Sequence, residues 1–123
     1  MVFDLFSLNG LLEKLSAGNI TCVGDVMLDR FFEGQVTRLS PEAPIPVLEV
    51  DTETAMLGGA GNVVRNIAAL GAAARLISVV GDDEPGLSVE NLLTAQDNLS
   101  AKLVFEENRL TTVKSRYLAA RQQ

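Results

Sequence analysis

Apolar residues recur along this chain with two periods, and the period predicts the element. Leu5, Leu8, Leu11, Leu12 and Leu15 follow the i, i+3, i+4 spacing of an amphipathic helix, and Gly18-Asn19 stops it, so a helix is predicted over 4–17. Ile20-Thr21-Cys22-Val23 is a short, β-branched apolar run closed by Gly24-Asp25, which predicts a buried strand over 20–24. Residues 25–35 read as a loop, followed by two short extended segments near 35–39 and 45–51. Pro41, Pro44 and Pro46 remove backbone donors between and beside these segments. They exclude a helix or a central strand and predict an edge hairpin or flap outside the main sheet.

A glycine-rich turn at 58–62 precedes a helix predicted over 62–70, with Val63, Ile67 and Leu70 on one face and Gly71 at its C-terminal cap. Residues 74–80 predict a strand, 81–86 a polar turn, and 87–95 a helix with Leu87, Leu92 and Leu93 as apolar contacts. Strands are predicted over 101–106 and 111–119. Strands alternating with helices argue for an α/β layered fold on a largely parallel sheet, with the proline-broken segments as an appended β element. The last strand runs to the terminus without a stop signal, which suggests a chain cut from something longer.

The length of 123 residues fits one domain, and 47% apolar residues are enough for one core. Sixteen acids against ten bases give a net charge of −6, which argues against nucleic acid as a partner. The imbalance is local. Residues 1–60 hold nine acids and three bases, whereas 108–123 are purely basic, with Arg109, Lys114, Arg116 and Arg121. Such a run is either a solvated strand face or a site for a small anion, and charge alone favours the first. Asp4 and Glu13 stand where a signal peptide would be basic, and no apolar run approaches the ~18 residues of a membrane span. A cytoplasmic protein is expected, with no membrane partner.

Cys22 is the only cysteine and histidine is absent, so no disulfide framework and no Cys/His metal site is expected. A general base would have to be Asp, Glu, Lys or Tyr. Cys22 itself reads as a small core residue.

Gly58, Gly59 and Gly61 lack Cβ, so a ligand or the backbone can come close, and the helix behind them offers free N–H groups. The turn suits a phosphate or hydroxyls held by backbone donors, or else it is only a tight turn. Asn62 can cap that helix or bind a substrate hydroxyl. Asp25 and Asp29 follow the first strand, where open α/β sheets bind ligands. A carboxylate there accepts from two hydroxyls at once, which suits a polyol or sugar; the alternative is a loop cap. Period-two alternation puts Thr112, Lys114, Arg116 and Leu118 on one face of the last strand. Two neighbouring cations repel unless solvent or an anion lies between them, and a substrate phosphate would be such an anion.

The stretches Gly24-Asp25-Val26-Met27-Leu28-Asp29, Ser40-Pro41-Glu42-Ala43-Pro44-Ile45-Pro46-Val47, Gly58-Gly59-Ala60-Gly61-Asn62 through Gly71, and Gly81-Asp82-Asp83 resemble the ribokinase-like carbohydrate kinases. Within them the chain is most similar to the heptose 7-phosphate kinase domains of bifunctional heptose kinase/ADP-heptose synthases. Lys114-x-Arg116-x(5)-Gln122-Gln123 also fits that subfamily. The resemblance covers nearly the whole chain from about residue 20. It implies a doubly wound, largely parallel α/β sheet with a small β lid near 35–51 and 111–119, and a homodimer formed through that lid. It implies that Asp29, Gly58, Gly59 and Asn62 contact the sugar, and that Lys114 and Arg116 lie near the sugar or its phosphate.

The implied reaction is phosphoryl transfer from ATP to the anomeric hydroxyl of D-glycero-D-manno-heptose 7-phosphate, toward ADP-heptose and the lipopolysaccharide core. The family's base lies in a downstream Gly-x-Gly-Asp motif that this sequence lacks, and the sites for ATP and Mg²⁺ lie there too. The chain is therefore expected to be the N-terminal, sugar-binding part of a kinase domain. It would be inactive alone and would bind no cofactor itself.

Two other readings stand beside this one. Gly59-x-Gly61-x-x-Val64, with Asp82 and Asp83 about twenty residues on, partly matches a dinucleotide fingerprint. Val64 stands where that motif needs Gly or Ala, and residues 52–57 separate the turn from any predicted strand. Alternatively, the flap makes this a non-catalytic self-association module.

Overall fold

A computed structural model describes residues 5–119 of the chain. The first predicted helical residue, the side chains of Leu5 and Leu8, and Arg121, Gln122 and Gln123 lie outside the described residues. The elements run α1 (Leu5–Ser16), β1 (Asn19–Val23), β2 (Val26–Leu39), β3 (Pro46–Gly59), α2 (Ala60–Ala69), β4 (Ala73–Gly81), α3 (Glu84–Thr94), β5 (Leu99–Glu106) and β6 (Val113–Ala119).

Two three-stranded sheets result. The main sheet has the order β1-β4-β5 with every pairing parallel, and α2 and α3 supply the crossovers a parallel sheet requires. The second has the order β3-β2-β6, in which β2 pairs antiparallel with β3 and parallel with β6. The α/β arrangement with a parallel sheet agrees with the expectation from sequence.

The second sheet departs from the sequence reading in an informative way. Residues 25–35 are no loop: all but Asp25 belong to β2. Residues 52–57 are no connector: they carry β3 straight into Gly58 and Gly59. The short extended segments are the outer ends of one long hairpin. The prolines shape its tip, where Ser40 N–H donates to Ile45 O at 2.8 Å. Register shifts between Glu33 and Gly34 and between Val36 and Arg38 bend the ribbon. Gly34 passes so close to the Glu49 carbonyl that no Cβ fits there.

The root of this hairpin belongs to the main core. Val26, Leu28 and Leu57 are buried with Ala74, Leu76 and Val80 of β4, Val64 of α2, and Val89 and Leu93 of α3. Fully burying a side chain of this size contributes roughly 1.5–3 kcal/mol. The sheets are also joined by a buried hydrogen bond of 3.1 Å, which Val26 N–H donates to Ser78 Oγ.

The helices meet the core partly as expected: Leu93 is buried and Ile67 and Leu92 pack against the core, but Val63, Leu70 and Leu87 do not. In α2 the buried residues are Gly61 and Val64, while Val63 and Leu70 are exposed. Gly61 is essential to this: a Cβ there would lie 2.8 Å from Val26 Cγ2. In α3, Val89 and Leu93 are buried and Leu87 is exposed. The strand β1 lies at the sheet edge and not in its interior, and Val23 is 77% exposed. Cys22 is half-buried against the core. Gly71, at φ 92°, terminates α2 in the left-handed conformation expected of its cap.

Candidate functional site

The site forms where β2 leaves the core. Asp29 lies one residue beyond the fully buried Leu28 and is itself only 8% exposed. Across β2 it faces Met56 of β3 on one side and Lys114 of β6 on the other. Phe31 pairs in turn with Arg116, so Asp29, Phe31, Lys114 and Arg116 share one face of the second sheet.

This register makes a clamp. Lys114 Nζ lies 3.1 Å from Asp29 Oδ1, and Arg116 Nη1 lies 3.6 Å from Asp29 Oδ2. The Arg116 guanidinium sits 4.8 Å from the centre of the Phe31 ring, a cation–π contact that keeps it over the site. The anion between the two cations is thus the protein's own carboxylate. Asp29 Oδ1 is buried and accepts no hydrogen bond, because the Lys114 ammonium approaches within ion-pair distance but off the hydrogen-bonding direction.

The glycine turn forms the wall beside this carboxylate. A Cβ on Gly58 would come within 2.9 Å of Asp29 Oδ2 and 2.7 Å of Met27 Cγ. Gly59 has φ 58° and is the N-cap of α2, and Ala60 N–H donates to Asp25 O at 2.9 Å. Asn62 is not the cap: it lies in the first turn of α2, and its amide oxygen accepts from Arg65 Nη2 at 3.0 Å. The structure therefore joins Asp29, Gly58, Lys114 and Arg116 directly, with Gly59 next in the chain and Asn62 one turn into the helix. Phe31 and Met27 escaped the sequence reading. Counting by twos from Asp29 finds both, once 25–35 is read as a strand.

A second cluster anchors β6 beside this site. Asp83 caps α3 by accepting from Gly86 N–H at 2.9 Å. It also accepts from the Thr111 hydroxyl at 2.6 Å and the Thr111 N–H at 2.8 Å. The Thr111 hydroxyl in turn accepts from Gly81 N–H at 2.8 Å. The Thr111 hydroxyl first, then the Thr111 and Gly86 amides, hold the Asp83 carboxyl below the usual carboxylate range. Glu84 is held low by the Ser88 hydroxyl and then by Arg30, whose Nη2 lies 2.6 Å away. Arg30 thereby ties β2 to the start of α3.

This arrangement removes support from the dinucleotide reading. Asp83, one of the two candidate ribose acids, is occupied as a cap. The glycine turn joins an antiparallel strand to a helix, whereas the fingerprint needs the first strand of a parallel βαβ unit. Among the described residues no three acidic, cysteine or histidine side chains converge as a protein metal cage requires. No helix of the described residues is long and apolar enough to cross a membrane.

A parallel α/β sheet, a second sheet rooted in the same core, and a carboxylate clamped by two cations beside a bare glycine turn are the features by which the chain can be compared with known proteins. The family model for "pfkB family carbohydrate kinase" matches residues 17–123, and the chain belongs to that family. Over 120 residues it is 52% identical to the "Bifunctional protein HldE" of Paramagnetospirillum magneticum, covering 98% of this chain and 25% of that protein. It is 55% identical over 111 residues to the protein of the same name from Acidiphilium cryptum, covering 90% of this chain and 23% of that protein. The chain thus spans about a quarter of the length of these curated relatives.

Among solved structures it is similar to Escherichia coli phosphofructokinase-2 in complex with fructose-6-phosphate, with TM-score 0.66 and 24% identity over 84% of this chain and 32% of that one. It is also similar to the microbiome-derived acarbose kinase Mak1, with TM-score 0.64 and 22% identity over 87% of this chain and 35% of that one. These structural likenesses show the ribokinase-like fold alone.

Proposed function

We propose that this chain is the sugar-binding part of a kinase that phosphorylates D-glycero-D-manno-heptose 7-phosphate at its anomeric hydroxyl, with ATP as donor, toward ADP-heptose and the lipopolysaccharide core. The observation that carries this reading is the buried Asp29 carboxylate, set against Gly58 and flanked by two cations. Asp29 Oδ1 accepts from a sugar hydroxyl. The bare backbone at Gly58 and Gly59 lets the ring approach, and Asn62 offers its amide nitrogen to a further hydroxyl. Lys114 and Arg116 meet the 7-phosphate. The similarity to bifunctional HldE proteins, together with the sequence resemblance to heptose 7-phosphate kinase domains, supports heptose among possible sugars.

On this reading the second sheet is a lid, and the protein forms a homodimer through it. The β3 and β6 strands are the edges of that sheet among the described residues, and Val50, Tyr117 and Leu118 on them are exposed. ATP, Mg²⁺ and the catalytic base belong to the remaining three quarters of a protein like the HldE relatives. When bound, Mg²⁺ would neutralise charge on the transferred phosphoryl group. The 123-residue chain by itself transfers no phosphoryl group, and the whole kinase works in the cytoplasm.

Titration calorimetry of the chain with D-glycero-D-manno-heptose 7-phosphate tests the reading. Saturable binding whose preference for heptose 7-phosphate over inorganic phosphate is lost in Asp29→Asn supports it, and a preference unchanged in the variant overturns it.

A further inference from the structure

The clamp raises a question that sugar binding leaves open. Lys114 and Arg116 are about half exposed, yet both are drawn onto a carboxylate that is almost fully buried. Two cations waiting for an anionic ligand would ordinarily attract any anion, including free phosphate. Here an internal anion already lies between them.

The geometry points to Asp29 as a stand-in for the ligand's anion, making the site selective for molecules that carry hydroxyl and phosphate together. This rests on the sugar-phosphate reading of the same pocket and adds a rule of selection to it. An inorganic phosphate that approaches Lys114 and Arg116 meets the Asp29 charge a few ångströms behind them. It must either share the cations with that carboxylate, against like-charge repulsion, or pull them away and leave a buried carboxylate uncompensated. A neutral polyol satisfies Asp29 Oδ1 but gains nothing from the cations. A phosphorylated polyol does both. Its hydroxyl donates to the free Oδ1, so the carboxylate keeps a partner while the phosphate takes over Lys114 and Arg116. Arg116 is about half exposed, so its guanidinium can meet the phosphate from its place over the Phe31 ring.

The stand-in makes an unusual prediction: removing an acidic residue from a pocket for hydroxyls should improve its affinity for bare phosphate. The 123-residue chain is titrated with inorganic phosphate as wild type, as Asp29→Asn, and as Asp29→Asn carrying Lys114→Met and Arg116→Met. Removing one like charge at this distance is expected to tighten phosphate binding by about tenfold in Asp29→Asn. The triple variant should lose that gain. Unchanged or weaker phosphate binding by a folded Asp29→Asn overturns the proposal.

Should Asp29→Asn not fold, the unaltered chain carries the test through the Arg116 side-chain NMR resonance. It should shift with a sugar phosphate at concentrations where inorganic phosphate leaves it in place, and equal responses overturn the proposal. The two readings fail separately. Heptose 7-phosphate binding without a phosphate gain in Asp29→Asn sinks the stand-in and keeps the sugar site. A phosphate gain in a chain that binds no sugar phosphate does the reverse.

Discussion

Asp29 and Lys114 stand opposite one another on neighbouring parallel strands although 85 positions separate them in the chain, and the Lys114 ammonium lies 3.1 Å from Asp29 Oδ1. The pairing is set by register: Leu28 next to Asp29 is fully buried and pairs with Val113, which packs against the core. Sliding β6 by one residue would turn Lys114 to the other face and bring Val113 or Ser115 beside the carboxylate.

Lys114→Met should therefore separate binding from stability. The side chain is half exposed, and an ion pair with one exposed partner contributes on the order of 0–1 kcal/mol. The melting temperature should barely move. Affinity for heptose 7-phosphate should fall by about tenfold, the equivalent of one charge-assisted hydrogen bond. Calorimetry and thermal melts of the same sample check this, and a large melting shift with unchanged affinity would contradict it.

Gly58→Ala tests the wall of the pocket. The added Cβ would come within 2.9 Å of Asp29 Oδ2, and the backbone on either side is fixed in the β2–β3 ladder. The carboxylate has to turn away, so affinity for the sugar phosphate should fall at least tenfold. The overpacking against Met27 should cost roughly 1–3 kcal/mol in urea unfolding. Alanine at Gly10, where a Cβ meets nothing within 4 Å, is the control that should do neither.

The elements that sequence patterning located well are the ones whose pattern is local. The strand β4 and the helices α2 and α3 carry their own periodicity and punctuation, down to Gly71 as a cap. The β2–β3 hairpin escaped because its inner and outer halves obey different rules. Its root alternates toward a core made by distant elements, and its tip is broken by Pro41, Pro44 and Pro46. Val26 and Leu28 read as a loop until Leu76, Val80 and Val64 are in place to bury them. The residues of the candidate site were legible one by one: Asp29 from its place after the first strand, Gly58 from the glycine turn, and Lys114 and Arg116 from period-two alternation. That the carboxylate itself fills the space between the cations was not legible, since it depends on β2 and β6 being neighbours. The Asp83–Thr111 link joins positions 28 apart and left no trace in any periodic pattern.

Thr111→Val should be among the costlier substitutions outside the apolar core. Valine keeps the shape, but the Gly81 N–H loses its acceptor and Asp83 loses its shortest donor. Gly81 is buried, so leaving its N–H unpaired costs about 1–3 kcal/mol. Thr111→Ser keeps the hydroxyl and should restore most of the loss. Urea midpoints of the two variants decide the matter, and equal midpoints would remove the hydroxyl from the explanation.

The same cluster sets a pH dependence whose direction is fixed. The carboxyls of Asp83 and Glu84 are held below their ordinary values in the folded chain, Asp83 chiefly by the Thr111 hydroxyl and Glu84 chiefly by the Ser88 hydroxyl. Where folding lowers a carboxyl's pKa, the unfolded chain binds more protons in acid, so stability rises with pH across that interval. The contribution is fully present above the unfolded values, near pH 4, and disappears as pH falls through the lower folded ones. Charged neighbours act in the same direction or oppose it: Arg30 favours the Glu84 carboxylate, whereas Asp83 disfavours it. Asp83→Asn removes one of the two groups, and an amide nitrogen in place of Oδ2 cannot accept from the Thr111 N–H. Its unfolding midpoint should be lower than wild type at pH 7, and the gap should narrow steadily as the pH is taken from 5 toward 2. Wild-type and variant curves that stay parallel over that range would mean that the Asp83 carboxylate does not stabilise the turn.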